Sequence, residues 1–153
     1  MKITEFLTVQ TVIPVLASQQ KSDVLQELAA RLAAHYPFLD ESTVLEVFCA
    51  REKISTTAIG EGVAIPHGKL PGVDRVMGVF ARSPSGVDFA SLDGEPTHLF
   101  FALIAPQDAA ADHLKALARI SRLLKDVGFR GRLMKGGSAL ELFAIIAEED
   151  EKF

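Results

Sequence analysis

The sequence predicts an α+β layer fold in which helices cover a mixed β-sheet, and three observations predict it. Apolar runs of strand length occur at residues 12–16, 63–65, 75–81 and 99–105. Helical spacing with capping signals occurs at 22–36 and 40–52, and three times after residue 112. The order is therefore strand, two helices, about three strands, then three helices, and such segregated runs favour packed layers over regular βαβ alternation.

Each element has a local reason. Residues 12–16 are apolar but contain Pro14, which suits a short or edge strand. Ser22 stands before Asp23, Val24, Leu25, Leu28 and Leu32, which predicts an N-cap, an early carboxylate and one apolar face. Pro37 ends that helix after Tyr36. Asp40, Ser42 and Thr43 all offer caps for the next helix, and Thr43 with Glu46 fits a capping box. Its apolar face is Val44, Leu45 and Phe48, its end is expected near Glu52, and Cys49 belongs to the core. Residues 55–62 read as a polar, glycine-containing loop. Val63, Ala64 and Ile65 form a short buried strand that Pro66 stops, and Asp93-Gly94 signals a turn before the strand at 99–105. Residues 112–125 form the clearest amphipathic helix, with Leu114, Leu117, Ala118, Ser121 and Leu124 on one face and His113 beside it. A short helix at 129–135 is broken by Gly136-Gly137. Ser138 and Glu141 form a capping box that opens the last helix. The acidic run Glu148-Glu149-Asp150-Glu151 reads as a solvated tail.

Composition narrows the function. At 153 residues and 48% hydrophobic, the chain suits one domain with a sizeable core. The net charge of −4 offers no basic footprint for nucleic acid. A single cysteine makes neither an internal disulfide nor a Cys-rich zinc site. No apolar run approaches the roughly 20 residues that span a bilayer, and the N-terminal residues lack a signal-peptide pattern. A cytoplasmic protein with no membrane insertion is expected.

The densest unusual segment is 55–69. Gly60-Glu61-Gly62 begins like a dinucleotide fingerprint, but Ile65 stands where the third glycine belongs. Residues 62–69 resemble a P-loop, but the glycine spacing is one residue too long and Leu70 replaces the magnesium-binding Ser/Thr. His67 lies between Pro66, which fixes the backbone, and Gly68, which leaves space. Residue type alone leaves it open between an exposed nucleophile and a loop histidine that caps a turn. His113 reads either as a site residue or as a half-buried histidine bonded to a backbone group. Arg51 is either a solvated helix end or a fork for phosphate oxygens, and Ser55, Thr56 and Thr57 are either plain loop residues or anion donors. No two histidines are three or four apart, so a helical zinc pair is absent; a zinc module of His67 and His113 lacks a third ligand nearby in sequence.

Arg51-Glu52, Ser55-Thr56 and the run from Gly60-Glu61-Gly62 through Pro66-His67-Gly68-Lys69-Leu70 resemble the phosphorylation-site signature of phosphotransferase-system IIA proteins of the fructose/mannitol class (PTS EIIA type 2). The run from Leu99 to Pro106, followed by His113-Leu114 and a Leu/Ala-rich helix, is similar to the second half of that family, and the likeness is nearest to its nitrogen-regulatory subgroup. The chain departs from the family pattern at Thr57-Ala58, where the family usually has a glycine after the Ser-Thr pair.

The resemblance implies a single EIIA type 2 domain over residues 1–153, built as a three-layer α/β/α sandwich on a sheet of about four to five strands. It implies that His67 accepts a phosphoryl group, through Nε2, from the phosphohistidine of a small carrier protein (NPr/HPr-like). Arg51 would bind phosphoryl oxygens, His113 would donate a ring N–H, and Ser55, Thr56 and the backbone near Gly68 would complete the cradle, with no cofactor. In the nitrogen-regulatory branch the phosphorylation state is itself the output and controls binding to targets such as potassium-transport regulators and sensor kinases. The lack of IIB, IIC or carrier segments favours that reading over a complete sugar permease. A sugar-specific IIA subunit that passes phosphate to a IIB cysteine and a binding module that is never phosphorylated are the alternatives.

Overall fold

The computed structural model describes residues 1–153. Its sheet has six strands: β1 (Val12–Ile13), β2 (Ala58–Gly60), β3 (Val63–Ala64), β4 (His67–Leu70), β5 (Met77–Val87) and β6 (Thr97–Pro106). Five helices accompany them: α1 (Lys21–His35), α2 (Glu41–Ile54), α3 (Ala110–Leu124), α4 (Val127–Lys135) and α5 (Ala139–Asp150). Two short 3-10 turns, Ile3–Glu5 and Val9–Thr11, precede β1 and carry no sequence pattern that announced them.

The sheet order is β1-β5-β6-β3-β2, and β4 also pairs with β6. The central antiparallel pair β5–β6 runs through Phe80 opposite Phe101. β1 joins β5 in parallel, and β3 and β4 join β6 in parallel, so the sheet is mixed as expected. It has one strand more than the upper expectation, because residues 55–62 are not all loop. Ala58–Gly60 forms β2 against β3 through a turn at Glu61, whose φ of 59° is left-handed.

Strand alternation separates two cores. Met77, Val79 and Ala81 of β5, with Phe100, Ala102 and Ile104 of β6, pack against Val24, Leu28 and Leu32 of α1 and Val44 and Phe48 of α2. The alternate residues Phe80, Leu99, Phe101 and Leu103 pack against Ala116 and Ile120 of α3, Phe129 and Leu133 of α4, and Leu142 and Ile146 of α5. With helices on both faces, β6 is buried on both sides from Leu99 to Pro106, which is why that stretch reads as an unbroken apolar run.

Several local expectations are corrected. Ser22 lies inside α1, and Gln20 is the N-cap without a side-chain bond. Asp40 caps α2, its carboxylate accepting from the Thr43 N–H at 3.0 Å, so Thr43 is a partner of the cap and not the cap itself. α2 continues past Glu52 to Ile54. β5 starts at Met77, two residues later than expected, and β1 is only two residues long at the sheet edge. Cys49 is half-buried, packed against the core's margin. Ser138 caps α5 as expected, accepting from the Glu141 N–H.

The α3 face is rotated from its expected position. The buried stripe is His113, Ala116, Ile120, Leu123 and Leu124, and Leu114 is exposed. The acidic run is a solvated tail only at Glu148 and Glu151, which are exposed. Asp150 is 1% exposed, accepts from the Ile3 N–H at 2.6 Å and pairs with Arg119. Glu149 is buried beside Arg132 and Lys152.

Candidate active site

β3 and β4 lie end to end along β6, separated by Ile65-Pro66. Leu103 donates its N–H to the Pro66 carbonyl at 2.9 Å, which holds this junction in the sheet. His67 is therefore the first residue of a strand and not a loop residue beyond one. It sits opposite Leu103, a residue of the α3-side core, so its ring points toward α3. Gly68 points to the other face, where a Cβ would meet Val47 Cγ1 of α2 at 2.2 Å. The missing side chain is what lets α2, with Arg51 near its end, close on β4.

His113, at the start of α3, meets His67 edge to face with ring centroids 5.4 Å apart. The His67 Nδ1 lies 2.7 Å from the Ile65 carbonyl oxygen. A carbonyl only accepts, so Nδ1 carries the hydrogen and Nε2 keeps its lone pair. The His67 ring thus makes one local backbone bond and leaves its other nitrogen without one. His113 is 7% exposed and its Nε2 is buried without a hydrogen-bond partner. A polar atom left unpaired in the interior is costly, and its position beside the His67 ring suits a ligand contact that the free protein does not make.

The electrostatics favour two neutral rings. Burial pushes the His67 imidazole below its ordinary value, and the Arg51 cation adds to this against the opposing Ile65 hydrogen bond and Glu52 charge. Burial also pushes His113 down, helped by His67 and Lys69. A neutral imidazole is a nucleophile and an imidazolium is not.

Arg51 donates to the Ser55 carbonyl at 2.8 Å, which leaves other guanidinium donors free. Ser55 is exposed at the end of α2. Thr56 commits its hydroxyl hydrogen to the Phe89 carbonyl at 2.9 Å. Thr57 is buried, and both its N–H and its hydroxyl donate to Glu52. Glu52, which belongs to the signature segment but had no role assigned, pairs with Lys21 of α1 at 2.9 Å, a neighbour that the sequence reading missed. One signal was present: Glu52 is a carboxylate in a last helical turn otherwise occupied by Arg51 and Lys53, where the helix dipole disfavours it. No group of three or more His, Cys, Asp or Glu side chains converges as a metal site.

Over residues 5–149 the sequence matches the family described as "Phosphoenolpyruvate-dependent sugar phosphotransferase system, EIIA 2". The chain belongs to the PTS EIIA type 2 family. Among EIIA type 2 relatives, it is 46% identical over 147 residues to a nitrogen regulatory protein of Bradyrhizobium diazoefficiens, covering 96% of this chain and 95% of that one. It is 39% identical over 151 residues to the fructose-specific EIIABC component of Bacillus subtilis, covering 99% of this chain but 24% of that protein. Its fold superposes on the nitrogen regulatory protein IIA-Ntr of Neisseria meningitidis with a TM-score of 0.88 at 33% identity, over 94% of this chain and 98% of that one. EIIA type 2 proteins are phosphotransfer components, and the His67 segment of this member lies at the junction just described. No helix of this EIIA type 2 chain is long and apolar enough to cross a membrane.

Proposed function

We propose that this protein is a phosphoryl-relay and regulatory IIA protein of a nitrogen-related phosphotransferase system, acting in the cytoplasm as one unit over residues 1–153. His67 accepts a phosphoryl group from the phosphohistidine of an NPr/HPr-like carrier, and its phosphorylation state sets binding to regulatory targets. Potassium-transport regulators and sensor kinases are the target classes. The observation that carries the reading is the His67–His113 pair: one ring has Nδ1 committed to Ile65 and Nε2 free, and the other has Nε2 buried and unpartnered.

The chemistry follows from those atoms. The His67 Nε2 lone pair attacks phosphorus in line as the carrier's N–P bond breaks, and the carrier's imidazole departs with that electron pair. The Ile65 carbonyl steadies the positive charge that develops on the His67 ring through Nδ1–H. Transfer of this kind depends on positioning and electrostatics. Arg51 and the His113 N–H meet the phosphoryl oxygens, Ser55 adds a hydroxyl, Thr56 shapes the loop through Phe89, and Gly68 gives α2 its close approach. The donor is already a reactive phosphoramidate, so no cofactor is needed. The phosphoryl group adds about −1.5 to −2 charges at pH 7, which reverses the field around Arg51 and His113 and gives partners a difference to read.

Intact-mass analysis after incubation with a phosphorylated histidine carrier tests the relay. One acid-labile phosphoryl group is expected, and none on His67→Ala. His113→Ala is expected to retain labelling while transfer slows roughly a hundredfold. Labelling of His67→Ala at the wild-type level would overturn the assignment, and wild-type rates in His113→Ala would remove its role.

The sugar-subunit alternative has one supporting observation, the likeness to the fructose-specific protein of Bacillus subtilis. Phosphoryl transfer from the labelled protein to a IIB cysteine would favour it over the regulatory reading.

A further inference from the structure

We propose that Glu52 is a positioning residue for phosphoryl acceptance: it anchors the Ser55–Thr57 loop and thereby aims the Arg51 guanidinium. The inference rests on His67 being the phosphoryl acceptor.

Consecutive residues at the end of α2 grip the same loop from two directions. Arg51 donates to the Ser55 carbonyl at 2.8 Å. Glu52 accepts from the Thr57 N–H at 3.0 Å and from the Thr57 hydroxyl. Its side chain is 5% exposed, which is rare for a carboxylate without a specific task. The charge is neutralised by Lys21 of α1 at 2.9 Å. Lys21 also reaches the Thr56 hydroxyl at 3.4 Å and the Phe89 carbonyl at 3.3 Å, and it lies over the Phe89 ring. Thr56 closes the network by donating to the same Phe89 carbonyl.

Thr57 supplies both an N–H and a hydroxyl that Glu52 binds, so backbone and side chain together tie the loop to the end of α2. The Ser55 carbonyl is then a fixed acceptor and not a mobile one. It holds one edge of the Arg51 guanidinium and leaves the remaining donors facing outward in a set direction. A misplacement of even about 1 Å in such a group costs transfer rate steeply.

Coupling is the test, because a merely structural Glu52 and a positioning Glu52 differ in how they combine with Arg51. Initial rates of phosphoryl transfer from a phosphorylated histidine carrier are measured for the wild type, Glu52→Ala, Arg51→Ala and the double variant. Glu52→Ala is expected to lower kcat about tenfold or more with little change in KM. In the Arg51→Ala background the same substitution is expected to have no further effect, since there is no guanidinium left to aim. Glu52→Gln, which keeps an acceptor for the Thr57 N–H, is expected to recover most of the rate, and Thr57→Val to fall between. If Glu52→Ala unfolds the protein, the cycle is run with Thr57→Val and Arg51→Ala. Equal fold-losses in both backgrounds, or wild-type kinetics in Glu52→Ala, would overturn the proposal. Absence of any label on the wild type would instead remove the relay reading beneath it.

Discussion

At the residue scale, the decisive atom is the His67 Nδ1. Its hydrogen bond to Ile65 selects the tautomer before any partner arrives. Burial lowers the proton affinity of both His67 and His113, so the nucleophilic form persists to lower pH than for a free histidine, whose ordinary value is 6.5. On the proposed relay, phosphoryl acceptance should hold level as pH falls through 6.5 and decline only below it. An NMR titration of the His67 ring nitrogens checks this independently of the donor, and a midpoint at or above 6.5 would contradict it. The linked effect on stability has a definite sign. The unfolded chain binds these protons more readily, so the contribution is intact above 6.5 and erodes as pH drops from there through the depressed native values. Denaturant midpoints measured at successive pH values should show that loss.

At the scale of elements, α2 and β4 are held at a distance that only glycine permits. A Cβ on Gly68 overlaps Val47 Cγ1, and a β-branched neighbour has little rotamer freedom with which to yield. Gly68→Ala should therefore push α2 off β4, costing about 1–3 kcal/mol of stability. Phosphoryl transfer should slow as well, because Arg51 moves with the helix. Urea unfolding and transfer kinetics measured together separate the two losses. The rotation of α3 belongs to this scale too. Leu114 and Leu117 set the apparent apolar face, yet the helix turns about one residue further so that His113 faces the sheet and Leu114 faces solvent. Burial of Ile120 and Leu123 beneath Phe101 and Leu103 outweighs the exposure of one leucine.

For the whole molecule, the two chain ends are joined at α3. Asp150 binds the Ile3 N–H and Arg119, while Lys2 donates to the carbonyls of Asp150 and Phe153. Arg119 lies on the same helix as His113, so closing the termini also fixes the helix that carries half of the candidate site. Asp150→Ala strips the buried Ile3 N–H of its acceptor and the Arg119 Nε–H of its carboxylate, while the Arg119 bonds to the main-chain carbonyls of Asp150 and Phe153 remain. It should cost about 3 kcal/mol and lower the melting temperature accordingly, while Glu151→Ala on the exposed side should change little. Thermal unfolding of the two variants side by side measures the difference.

Local periodicity determined much of this protein from the sequence alone. Apolar runs of strand length place β5 and β6, and 3.6-residue spacing with capping and breaking residues places the five helices, because these signals are properties of a few neighbouring residues. The segment around His67 stood out through its proline, histidine and glycine, but residue type left the role of the histidine open and only the family likeness chose between the readings. What only the tertiary structure decided depends on residues far apart in the chain. β2 exists because β3 is present to pair with it, and a three-residue strand has too little pattern to stand alone. Glu149 and Asp150 of the acidic run are buried because Arg119, Arg132 and the Ile3 N–H compensate them, and without those partners they would belong in water. Glu52 stands out in the sequence only as a carboxylate at a helix end, and its role takes shape once α1 brings Lys21 to it and the loop brings Thr57. The meeting of His67 with His113 was expected only through family likeness. The free nitrogen on one ring and the unpartnered nitrogen on the other arise from packing a strand against a helix, which no local pattern encodes.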